Sequence, residues 1–89
     1  MKAIVTVLGK DKVGIIADIA ILMKSCGVNI CDISQTLMQD YFTMIMLVDL
    51  SSSTVEFTEL QRELKKQGEK IGVDIRIQHP DLFDSMHKI

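Results

Sequence analysis

The chain has 89 residues, 10 basic and 12 acidic side chains for a formal charge of −2, and is 47% hydrophobic but only 4% aromatic. A folded unit of this size buries about two thirds of the surface its extended chain exposes, enough for one modest core of aliphatic side chains and methionine. The scarcity of rings argues against base-stacking readers of nucleic acid, the lack of clustered Lys and Arg argues against phosphate-backbone binding, and no uncharged run has the length of a membrane helix.

Residues 2–8 alternate around Ala3, Val5 and Val7 and predict a strand that stops at Gly9. A short polar turn follows. Over residues 13–26 the apolar side chains Ile15, Ile16, Ile19, Leu22, Met23 and Cys26 form one stripe of a helix, with Gly27 as its C-terminal cap. Residues 28–38 are β-branched and change face near Asp32, which predicts a bent or bulged edge strand. Gln39 and Asp40 make a two-residue hairpin turn. Residues 41–50 are apolar on both alternating faces, Phe42, Met44, Met46 and Val48 against Ile45 and Leu47, so this strand is expected inside a sheet covered on both sides. Ser53 and Glu56 have capping-box spacing before a helix over residues 54–70, which spaces Phe57, Leu60, Leu64 and Ile71 along one face. Val73, Ile75 and Ile77 alternate in a last strand. Beyond Pro80, Leu82, Phe83, Met86 and Ile89 recur at helical spacing.

The order βαββαβ, with right-handed crossovers, gives an α+β ferredoxin-like sandwich. Its four-stranded antiparallel sheet has the order 4-1-3-2, both main helices lie on one face, and a short C-terminal helix follows. The whole chain, residues 1–89, reads as a single domain, with a core over 1–79 and a tail over 80–89. This fold hosts many unrelated functions, so function must come from a site.

Catalysis finds little support. The only histidines, His79 and His87, stand at the C-terminal end, far in sequence from Cys26 and Cys31. Those two cysteines lack C-x-x-C or zinc spacing and read as free packing thiols in a reducing cytoplasm. His79, Asp81, Asp84 and His87 fit no standard metal-ligand pattern, so neither a metal nor a cofactor is expected. The N-terminal stretch, with Lys10 and Lys12, has no small-residue cleavage site of a signal sequence, which again points to the cytoplasm. The turn GKDKVG remains. Gly14 opens the first helix, where backbone N–H groups and the helix dipole favour an anion such as a carboxylate. The same residues also admit a purely structural reading, with Asp11 as N-cap and Gly14 as a tight-turn residue. No Lys-Ser/Thr follows, so this is not a P-loop.

The run LGKDKVGIIADIAILMKSCGVNICDISQ resembles the first half of an ACT domain, and the likeness extends over essentially the whole chain. The ending IGVDIRIQHPDLFDSMHKI is similar to small bacterial and archaeal proteins that consist of one ACT domain, related to the ACT halves of the glycine cleavage system transcriptional repressor. The resemblance implies a non-catalytic regulatory module that binds a small metabolite, an amino acid above all, between two subunits. Carried over residue by residue, Asp11, Lys12, Val13, Gly14 and Ile15 would form the turn, and Asn29, Ile30 and Asp32 the facing strand of a neighbour. Many ACT turns carry Pro before the helix-opening Gly, where this chain has Val13. The resemblance also implies a homodimer or higher homo-oligomer that acts on a regulated protein partner. The alternative is an interaction module of the same fold with no small-molecule ligand, docking through its apolar sheet face or its tail. Ala17 and Ile21, apolar but off the core stripe of the first helix, agree with a dimer that pairs two second-strand edges.

Overall fold

A computed structural model describes residues 1–10 and 13–80. Its elements are β1 (Lys2–Lys10), α1 (Ile15–Ser25), β2 (Asn29–Met38), β3 (Tyr41–Asp49), α2 (Phe57–Ile71) and β4 (Val73–Gln78). They form one antiparallel sheet in the order β2-β3-β1-β4, the expected topology. The expected C-terminal helix falls beyond the described residues.

The core lies between the helices and one sheet face. Ala3, Val5 and Val7 of β1, Phe42, Met44, Met46 and Val48 of β3, and Val73, Ile75 and Ile77 of β4 point the same way and are buried. Ile15, Ile19 and Met23 of α1 and Leu60 and Leu64 of α2 close over them. The buried stripe of α1 is narrower than its sequence periodicity suggests, because Ile16 remains 40% exposed.

Two element boundaries differ from expectation, each for a local reason. β1 continues through Gly9 to Lys10, because Gly9 is a ladder partner of Val73 rather than a breaker. A Cβ on Gly9 would lie 2.7 Å from Cγ1 of Val73, so glycine lets this side chain close over the strand. α2 begins at Phe57, not at residue 54, and Glu56 caps it without a side-chain hydrogen bond. The capping box does not form. Ser53 turns back on its own loop instead, its Oγ donating to the Val55 carbonyl (2.8 Å) and accepting the Val55 amide (3.2 Å). Thr54 is also engaged elsewhere: its amide (2.9 Å) and Oγ1 (3.2 Å) both donate to the Cys26 carbonyl. These bonds tie the loop after β3 to the end of α1.

That end is a Schellman turn. Val28 donates its amide to Met23 O (2.9 Å) and Gly27 to Lys24 O (3.1 Å), with Gly27 at φ 72°. The buried Val28 and Met23 supply its usual apolar contact. The hairpin turn after β2 forms as expected, with Gln39 at φ 55°.

The bulge in β2 lies where the face change predicts it. Ile30 pairs with Val48 and Asp32 with Leu47, so Cys31 is the extra residue. It re-phases the strand. Beyond it Ile33, Gln35 and Leu37 oppose the core residues Met46, Met44 and Phe42, while Asp32, Ser34 and Thr36 oppose the outward Leu47, Ile45 and Thr43. A single-residue slip would reverse that assignment. Cys31 is therefore exposed, contrary to the packing thiol expected there, whereas Cys26 is buried.

β3 is an inner strand, but helices cover only one of its faces: Ile45 is 39% exposed and Leu47 half-buried on the other.

Candidate functional site

Asp11 and Lys12 lie outside the described residues. Val13 is fully exposed beside the helix start. Gly14 stands at φ 89°, in the left-handed region, and a Cβ there would meet nothing within 4 Å. α1 thus opens with a residue that brings no side chain to cap the first-turn amides, on an uncrowded surface. The Gly14 carbonyl accepts the Asp18 amide at 2.9 Å and begins the helical ladder. Ile15 is buried in the core, so its backbone alone faces the turn.

The three residues of the facing strand stand on or beside the bulge. Asn29 is exposed, and its Nδ2 reaches Sγ of Cys31 at 3.9 Å. Ile30 packs against the core. Asp32 is exposed, and its Oδ1 accepts the Ile33 amide at 2.9 Å. A cleft of about 410 Å³ lies here, lined by Ala20, Met23, Lys24, Gly27, Asn29 and Ile30 among others.

Within one chain the two groups are not together. The turn leaves β1 at Lys10, whose ladder partner is Tyr41, and Tyr41 pairs with Met38 at the far end of β2. Asn29 pairs with Asp49 at the opposite end. The 11 residues of α1 separate the two ends by about 16 Å.

β2 is also the barest element. Every residue from Cys31 to Met38 is exposed, including Ile33 (41%) and Leu37 (61%) on the helix side, which α1 does not cover. The outer edge of β2 has no strand beside it among the described residues. On α1, Ile21 is 67% exposed but lies on the side turned to α2, where it shares a cleft with Gln67 and Lys70, so it does not adjoin the β2 edge expected to cover it. Another cleft, of about 580 Å³, lies at the opposite edge of the sheet, between α2 and β4.

Sequence reasoning missed Asp49, which the ladder places opposite Asn29. Ser51 donates to its Oδ1 through the hydroxyl (2.6 Å) and the amide (2.9 Å), and these bonds hold the carboxyl below its ordinary range. Ser51→Ala should therefore raise the Asp49 pKa toward the usual value, an outcome that an NMR titration reads directly. Because the folded value is the lower one, this contribution to stability is present at neutral pH and is lost as the pH falls through that value. Only strand register pairs Asp49 with Asn29, so nothing local in the sequence could have signalled it.

Residues 2–78 match the family model described as ACT domain. A UPF0237 protein of Clostridium acetobutylicum is 55% identical over 89 residues, the full length of both chains. An archaeal UPF0237 protein, from Methanocaldococcus jannaschii, is 47% identical over 88 residues, covering 99% of this chain and 98% of its own. Among solved structures, an ACT domain protein from Streptococcus pneumoniae superposes with a TM-score of 0.81 at 44% identity, covering 93% of each chain. A structure described as a glycine cleavage system transcriptional repressor shares the fold, with a TM-score of 0.74 at 23% identity over 86% of this chain and 44% of that one. The chain belongs to the ACT domain family, whose members are typically regulatory, ligand-binding modules.

Proposed function

We propose that the chain is a non-catalytic regulatory module, working in the cytoplasm as a homodimer, that binds an amino acid between subunits and transmits its presence to a protein partner. The observation that carries this reading is the pair of half-sites at opposite ends of a bare β2 edge. If two β2 strands pair antiparallel about a two-fold axis near Ser34, Asn29 of one chain comes level with Met38 of the other. That is the end from which the β1–α1 turn departs. The symmetry therefore brings the Gly14 turn of each protomer to the cleft beside Asn29 and Ile30 of its partner. One axis makes two equivalent sites.

The chemistry suits a zwitterion. The amides of the first turn of α1, with the positive end of the helix dipole, take the ligand's carboxylate. Asn29, through its side-chain carbonyl, and Asp32 face the ammonium group. Val13, fully exposed in a single chain, gains an apolar ligand or subunit surface to pack on. Pairing the β2 edges also removes a long unpaired edge and covers Ile33 and Leu37.

The test is calorimetry and thermal shift of the full chain against a panel of amino acids. One or more should raise the melting temperature by mass action. Gly14→Leu and Asn29→Ala should each abolish that binding. Mixing the two variants should restore it, because a heterodimer carries one intact site, made of Gly14 from one chain and Asn29 from the other. Random exchange would restore about one quarter of the wild-type sites. No recovery on mixing, with both variants folded and dimeric, would place any ligand within a single subunit and refute the shared site.

A further inference from the structure

The outer edge of β4 has no strand beside it among the described residues, and the register fixes which backbone groups it presents. Leu50 donates its amide to Met1 O (2.8 Å), which makes Met1 and Leu50 a hydrogen-bonded pair next to Lys2 and Asp49. In an antiparallel ladder such pairs alternate, so the odd residues of β1 bond to β3 and the even ones to β4, at Gln78, Arg76 and Asp74. The amides and carbonyls of Val73, Ile75 and Ile77 therefore point outward from the sheet.

α2 shields only the start of this edge. Gly68 lies over it, where an ideal Cβ would come 2.5 Å from Val73 O and 3.4 Å from the Ile75 nitrogen. Further along, Nε2 of Gln61 donates to Ile77 O at a distant 3.5 Å, and the cleft of about 580 Å³ opens between the two elements. The Ile75 carbonyl and the Ile77 amide are left there with no strand to bond.

The walls of the cleft suit an extended segment. Phe57, Gln61 and Lys65, four residues apart, form the side of α2 that faces it, and Phe57 with Ile75 and Ile77 makes its lining apolar. Two cations, Lys65 and Arg76, stand against one carboxylate, Asp74. Arg76 already pairs with Asp74 at 2.9 Å, whereas Lys65 has no ion-pair partner among the described residues. On a chain of net charge −2, this cleft carries a surplus positive charge.

We propose that the β4 edge takes, as an added strand, an extended acidic segment of the regulated protein partner, with apolar side chains on Phe57 and carboxylates toward Lys65 and Arg76. The inference rests on the proposed function for the existence of that partner and on the β4 edge for its form. A second copy is the poorer occupant. A two-fold axis at the middle of β4 would set Lys65 and Arg76 near their own duplicates. Together with paired β2 edges it would also add chains end to end without closure.

A soluble peptide alternating valine and glutamate, titrated into isotope-labelled full-length protein, tests the proposal. In the free protein the Ile77 amide is expected to exchange rapidly with solvent. The peptide should slow that exchange and shift the amide resonances of Ile75 and Ile77, and the same peptide methylated on its backbone nitrogens should do neither. Lys65→Glu should weaken binding about two- to fivefold and improve binding of the counterpart peptide with lysine in place of glutamate. The same response is expected without any amino acid and in the variant with Ile33 and Leu37 replaced by lysine, so this proposal and the amino-acid reading fail separately. An Ile77 amide already protected in the free protein, shifts confined to the β2 edge, equal binding of the methylated peptide, or no binding at millimolar peptide would each overturn it.

Discussion

Replacing Ile33 and Leu37 together by lysine is expected to convert the proposed dimer to a monomer and to abolish the proposed amino-acid binding, while each subunit keeps its fold. Both side chains lie on the helix side of β2 but beyond the reach of α1, so a single chain gains little from them. Substitutions at such exposed positions usually change stability by less than about 0.5 kcal/mol. In the proposed dimer the two-fold axis buries each side chain twice. Four aliphatic side chains at about 1.5–3 kcal/mol each outweigh everything else at that edge, and even a loss of about 4 kcal/mol weakens association roughly a thousandfold. Lysine adds like-charge repulsion across the axis and is itself a residue that protects strand edges from pairing. Sedimentation velocity and a ligand titration on the same sample read both consequences. A variant that stays dimeric shows that the chains associate elsewhere, and a monomer that still binds shows that the pocket is not shared.

Gly27→Ala should give a large loss of stability for a single added methyl group. Two penalties coincide there. The residue sits at φ 72°, where a side chain costs about 1–2 kcal/mol. An ideal Cβ would also lie 2.5 Å from the carbonyl oxygen of Ser52, a backbone atom that cannot swing aside as a side chain can. Relief requires moving the loop after β3, which Thr54 anchors through two hydrogen bonds to the Cys26 carbonyl. Together these put the expected cost at about 2–4 kcal/mol, a fall in melting temperature of roughly 10–30 °C for a domain of this size. Gly14→Ala is the internal control: its φ of 89° carries the same conformational penalty, but the space around it is empty. About 1–2 kcal/mol is expected there, and the difference between the two variants measures the clash with Ser52. Equal losses would show that the loop gives way freely.

The regular elements were legible because their patterns are local. Alternation in residues 2–8 and 73–77 and the helical rows of Leu60 and Leu64 mark the faces that the sheet and helices bury. The reversal of face near Asp32 marked where β2 is bent or bulged, and the register shows that it is a bulge at Cys31. Side-chain commitments were less legible where two partners compete for one group. Ser53 has the spacing of a capping residue, yet its hydroxyl closes a turn on Val55, and α2 starts three residues later than expected. Gly9 looks like a strand terminator and is instead the place where Val73 crosses the chain.

By itself, the sequence determined the order of elements, the apolar faces and the turning glycines Gly14 and Gly27, since each follows from the chemistry of a residue and its near neighbours. Only the tertiary structure decided that the Gly14 turn and Asn29 lie at opposite ends of α1, that Asp49 stands beside Asn29, and that α1 leaves Ile33 and Leu37 uncovered. These are consequences of strand register and helix placement, which couple residues distant in sequence. No local pattern encodes a distance between them.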